Sequence, residues 1–110
     1  MGTGTGLFEK VDMEAIPRSM GEALPGIREE LGVTIGAIAK KSGVGFSRIR
    51  DAENGETELK WVEYLSILSL FWESERGRRA VEARGLFPKE LKEALSVNRN
   101  AHEPTAGLKG

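Results

Sequence analysis

The spacing of apolar residues predicts an all-α protein, and three observations carry that expectation. Apolar side chains recur at intervals of three and four, as in Leu24, Ile27 and Leu31 and again in Trp61, Leu65, Leu68 and Trp72, which places each set on one helix face. Gly32, Gly43 and Gly55 each stand just after such a segment, where helices commonly end in a left-handed residue. No segment alternates apolar and polar residues convincingly, as a half-buried strand would.

Each element follows in order. Residues 1–16 read as an N-terminal arm in which "LFEKVDMEAI" has room for a helical turn or two. Pro17 is placed to open a helix through Leu24. Pro25 lacks a backbone donor, so a longer helix is expected to kink or restart there. Taken as a first helical residue, Pro25 begins "PGIREELG", which stops at Gly32. Thr34 suits the N-cap of "IGAIAKKSG", with Ile35, Ile38 and Ala39 as the apolar face. Gly45 precedes "FSRIRDAEN", where Ile49 and Ala52 form the inner pair. Thr57 is expected to cap "ELKWVEYLSILSLFWESE", whose core stripe is Trp61, Leu65, Leu68 and Trp72, widened by Tyr64 and Phe71. Beyond Gly77, "RRAVEARG" reads as a short helix, and Pro88 opens "PKELKEAL". The resulting organisation is an arm at 1–16, a main domain at 17–72, a helical extension at 73–96 and a tail at 97–110. That tail lacks periodicity and is expected to be mobile.

Composition narrows the function. A chain of 110 residues, 39% hydrophobic and 30% charged, is one globular domain by these measures. Its net charge of −1 exerts no overall pull on nucleic acid, so any such pull must come from a local patch. The absence of cysteine excludes disulfides, thiol catalysis and thiolate zinc sites. No apolar run approaches the length of about 18 that spans a membrane, and no signal-peptide pattern opens the chain. A cytoplasmic protein is expected, with no membrane partner.

The segment Ile35 to Glu53 is the most informative. Two short helices crossing through a turn of three or four residues need a small residue at the crossing, and Ala39 is placed there. The turn needs a residue that accepts positive φ, which Gly43 supplies. The second helix needs a branched apolar anchor, which Ile49 supplies, with Ile38, Val44 and Ala52 completing the wedge. Charge is uneven around it. Leu31 to Arg50 holds four bases (Lys40, Lys41, Arg48, Arg50) and no acid, whereas Asp51 to Glu63 holds five acids and one base.

At these residues, "IREELGVTIGAIAKKSGVGFSRIRDAENGETELKWVEYLSIL" resembles the Cro/phage-repressor-like helix-turn-helix family, also called the xenobiotic-response-element family of regulators. The resemblance covers about Gly21 to Phe71 and rests on the Arg28-Glu29-Glu30 run before Gly32, on Thr34, Ala39, Gly43 and Ile49, and on the closing "ENG". It implies a five-helix lambda-repressor-like fold, here with extra C-terminal helices. It also implies a transcriptional regulator that binds double-stranded DNA sequence-specifically, usually as a homodimer. The implied recognition helix is Phe46 to Asn54. Phe46, Ser47, Arg50 and Asp51 would face base edges, and Thr34, Ile35, Lys40, Lys41, Arg48 and Lys60 would meet phosphates. Asp51, facing a phosphate-rich groove, must accept from a cytosine amine or be neutralised by Arg48 or Arg50.

Other features have two readings. Arg76, Arg78 and Arg79 form either a second phosphate patch or a helix face bridged to Glu73, Glu75 and Glu82. Val81, Leu86, Phe87, Leu91 and Leu95 are expected to build a dimer interface. With no cysteine, a single histidine (His102) and no phosphate-binding glycine loop, neither an enzyme nor a cofactor or metal site is expected. The competing reading is an antitoxin or protein-interaction module on the same fold, with a protein partner such as a toxin.

Overall fold

A computed structural model describes residues 11–95. Residues 1–10 of the arm and the whole tail, His102 included, lie outside the described residues. The chain divides into two compact units, one of them Met13–Leu86, while residues 11–12 and 87–95 belong to the other. The described residues are helical and contain no strand. No helix among them is long and apolar enough to cross a membrane.

The larger unit has five helices: α1 (Ala15–Leu31), α2 (Ile35–Ser42), α3 (Phe46–Glu53), α4 (Trp61–Trp72) and α5 (Glu75–Ala83). α1 packs on α3, α4 and α5; α2 packs on α3 and α4; α4 also packs on α5. Met20, Leu24 and Ile27 from α1 meet in the core with Ile38, Ile49, Tyr64, Ile67, Phe71 and Val81. In the smaller unit, residues 89–95 are helical, and the Pro88 carbonyl accepts from the Leu91 and Lys92 N–H groups at 3.0 Å each.

α1 runs unbroken through Pro25, contrary to the expected kink or restart. An internal proline costs a helix about 3 kcal/mol. Met20, Leu24 and Ile27, all fully buried around it, each contribute roughly 1.5–3 kcal/mol, which outweighs that cost. Pro25 itself is exposed. Pro17 sits in the first turn, where a missing N–H loses no bond within the helix.

Three further expectations are corrected. Thr57 does not cap α4. Lys60 holds the N-cap position, its N–H donating to the Glu63 carboxylate at 2.8 Å, while the Thr57 hydroxyl accepts from Arg48. Gly77 lies inside α5, which starts at Glu75 behind a Ser74 cap. A Cβ on Gly77 would collide with the Phe71 carbonyl oxygen, so its role is close approach to the end of α4. Finally, the buried face of α4 is Tyr64, Ile67, Leu68 and Phe71, whereas Trp61, Leu65 and Trp72 are only half-buried. Nearly every position of α4 is apolar, so periodicity alone could not set its phase; the packing of α2 and α5 does.

Val81 and Leu86, expected at a dimer interface, are already buried in the single chain. The Tyr64 hydroxyl, buried alongside, donates to the Leu86 carbonyl at 2.6 Å, and burial pushes its pKa up.

Candidate nucleic-acid interface

Local sequence builds the α2–turn–α3 segment as expected. The Thr34 hydroxyl accepts from the Ala37 N–H at 3.0 Å and starts α2. Gly43 ends it at φ 84°, a left-handed conformation that costs a side chain about 1–2 kcal/mol. Three residues, 43–45, separate the two helices. Ile38, Val44, Ile49 and Ala52 are all buried, as the wedge requires, while Ala39 is half-buried.

α3 is short and buries only Ile49 and Ala52. An arginine–glutamate pair holds it near each end. At its C-terminus, Glu53 takes the Arg28 guanidinium of α1 through two bonds, 2.7 and 2.9 Å. Near its N-terminus, Arg48 donates to both Glu63 oxygens, 3.0 and 2.7 Å. Such bidentate, charge-assisted pairs fix geometry as well as adding energy. The Arg48 guanidinium holds the Glu63 carboxyl below the usual carboxylate range, and Glu63 in turn raises the Arg48 pKa.

The expected base-reading residues divide by exposure. Phe46 is 50% exposed, an unusual placement for a large apolar side chain. Ser47 and Arg50 are also exposed, and Asp51 is half-buried. Arg50 Nε and Nη2 both donate to Asp51 Oδ1 at 3.2 Å, so of the two arginines expected to neutralise Asp51, Arg50 is the one bonded to it.

Among the expected phosphate contacts, Lys40, Lys41 and Lys60 are exposed and form no salt bridge among the described residues. Thr34 is exposed with its hydroxyl engaged in capping, and Ile35 is half-buried. Arg48 is placed differently from the others, turned toward α4 and the 57–60 loop rather than outward.

The acidic run after the motif also finds partners. Asp51 pairs with Arg50, Glu53 with Arg28, Glu58 with Arg18 and Glu63 with Arg48. Four of the five acids counted between Asp51 and Glu63 are therefore matched by arginine, and the run is less repulsive to phosphate than its composition suggests. The partners of Glu53 and Glu63 lie 25 and 15 residues away, so no local pattern in the sequence marks them.

The arginines of α5 do other work. Arg76 donates to the Glu30 carbonyl at the end of α1 and Arg78 to the Trp72 carbonyl at the end of α4, 2.7 and 3.0 Å. Arg79 makes an expected bridge, to Glu75 at 2.8 Å. Cations at helix C-termini satisfy carbonyls that lack intrahelical donors. No cluster of three or more potential metal ligands occurs among the described residues. In comparisons with known proteins, no family model, curated protein or solved structure matches the chain.

Proposed function

We propose that α1–α5 form a lambda-repressor-like helix-turn-helix domain and that the protein is a sequence-specific regulator of transcription, reading the major groove with α3. The observation that carries this reading is the contrast between the two sides of α3. Its inner side is held by Ile49, Ala52 and two arginine–glutamate pairs, while Phe46, Ser47 and Arg50 remain exposed. A rigidly held helix with a free outer side suits groove reading. Arg50 is the residue for a base-edge hydrogen bond, and Phe46 is suited to a thymine methyl. Lys40, Lys41 and Lys60 serve as phosphate contacts, and the N-terminus of α2 at Thr34 and Ile35 offers main-chain N–H groups to another.

Three lysines give a modest affinity for one copy. At roughly 0.9 per phosphate contact, log affinity against log salt has a slope of about −3 per monomer and twice that for a dimer. A homodimer on an inverted repeat, with half-sites about 34 Å apart, supplies the larger value. The test is binding to random duplex at two salt concentrations, followed by selection of bound sequences from a random pool. A palindromic consensus and a steep salt slope support the reading; absence of binding at low salt rejects it.

A second reading, a protein-interaction module or antitoxin, has its own support. Phe46 and Val62 are large apolar side chains left exposed, 50% and 64%. A groove of about 220 Å³ lies among Leu31, Val33, Ala37, Ile38, Leu70 and Phe71. Failure to bind duplex by a well-folded chain favours this alternative.

A further inference from the structure

The family resemblance implies a phosphate contact for Arg48, and its surroundings give it a different task. Its guanidinium spends four of its five N–H groups inside the chain. Nε and Nη2 go to Glu63, Nη2 also to the Glu58 carbonyl at 3.0 Å, and Nη1 to the Thr57 hydroxyl at 3.0 Å. Glu63 Oε1 accepts at the same time from the Lys60 main-chain N–H at 2.8 Å. One connected chain of bonds thus runs from the first turn of α3, through Arg48 and Glu63, to Lys60 at the start of α4.

The loop between these helices has few other polar ties. Main-chain bonds hold Gly55 to Ala52 and Glu56 to Asp51. From Thr57 to Lys60, the ties are those just described, the Tyr64 N–H donating to the Lys60 carbonyl at 2.9 Å, the buried Leu59 side chain and an exposed Arg18–Glu58 pair at 3.4 Å. Surface pairs of that kind contribute little. Moving Arg48 out to a phosphate would break a bidentate pair and leave the largely buried Glu63 carboxylate, 16% exposed, without its cation.

We propose that Arg48 is a positioning residue which, through Glu63, locks the 57–60 loop to α3 and so sets Lys60 in register with the helix that reads bases. This rests on the DNA reading above and deepens it. Specific binding requires the bases and the phosphates to be met together, so loosening the lock affects the specific complex. Non-specific binding needs only cations near phosphates and is insensitive to their register.

The test uses the full chain, a duplex selected from a random pool, and a scrambled duplex of equal length. Affinity for both is measured across a salt series, well below the melting temperature of each variant. Glu63→Gln keeps the Arg48 charge and almost the same shape but weakens the lock. It is expected to lower affinity for the selected duplex about tenfold, comparable to the loss of a good base contact. Affinity for the scrambled duplex and the salt slope should stay near wild type. Arg48→Met should behave in the same way.

If Arg48 instead contacts phosphate, Arg48→Met reduces the salt slope by about 1 on both duplexes and Glu63→Gln leaves binding intact or tighter; either result overturns the proposal. A lower melting temperature with an unchanged ratio of specific to scrambled affinity also overturns it, because Arg48 would then serve stability alone. If selection enriches no duplex for the wild-type chain, the DNA reading itself fails, and this proposal fails with it.

Discussion

α3 and α4 are neighbours in sequence held in place by different forces. α4 is twelve residues, nearly all apolar, with Tyr64, Ile67, Leu68 and Phe71 buried. α3 is eight residues with only Ile49 and Ala52 buried, and arginine–glutamate pairs near both ends supply what its short apolar face does not. Apolar burial is strong but non-directional, so a helix held that way must be surrounded. Bidentate ion pairs are directional and act from the flanks. A helix fixed from its flanks can be both rigid and open on its outer side, which is what the proposed reading helix requires.

The comparison breaks first on α4. Ile67→Ala is expected to cost about 2–5 kcal/mol in urea unfolding, as a fully buried large-to-small change. Glu53→Gln strips Arg28 of its charged partner, and since Arg28 keeps partial exposure the expected loss is smaller, about 1–3 kcal/mol. If Glu53→Gln proves the more damaging, apolar burial is not what separates the two helices.

Acid titration sharpens the same contrast. The folded-state pKa of Glu63 is lowered by Arg48, so its contribution is complete above the ordinary glutamate range and is lost as pH falls through the lowered value. Stability measured from neutral to strongly acid pH should therefore decline less steeply in Glu63→Gln than in wild type. Equal slopes would show that the pair contributes nothing to acid sensitivity. The smallest effect is expected from Thr34→Ala, about 1 kcal/mol from loss of the cap on α2, read from the melting temperature.

Much of the helical organisation was legible because it is local. Thr34 caps within three residues, and Gly32, Gly43 and Gly55 end helices through their own backbone freedom. The wedge of Ile38, Val44, Ile49 and Ala52 was legible for the same reason, since spacing across one turn decides which way each residue points. Pro25 misled because its local cost was smaller than the burial on either side of it. Gly77 misled because a glycine ahead of "RRAVEARG" reads as lying before the helix, and only the carbonyl of Phe71 reveals why a side chain is excluded there.

By itself, then, the sequence determined that the described residues are helical, where α2 and α3 start and stop, and which residues of α3 turn inward. These follow from bonds and periodicities spanning a few residues. Tertiary structure decided which face of α4 is buried, that the α5 arginines close the ends of α1 and α4, and that Arg48 points to Glu63. Those outcomes depend on which distant groups meet, and a side chain such as arginine, with a long reach and several donors, carries no mark in the sequence of the partner it will find.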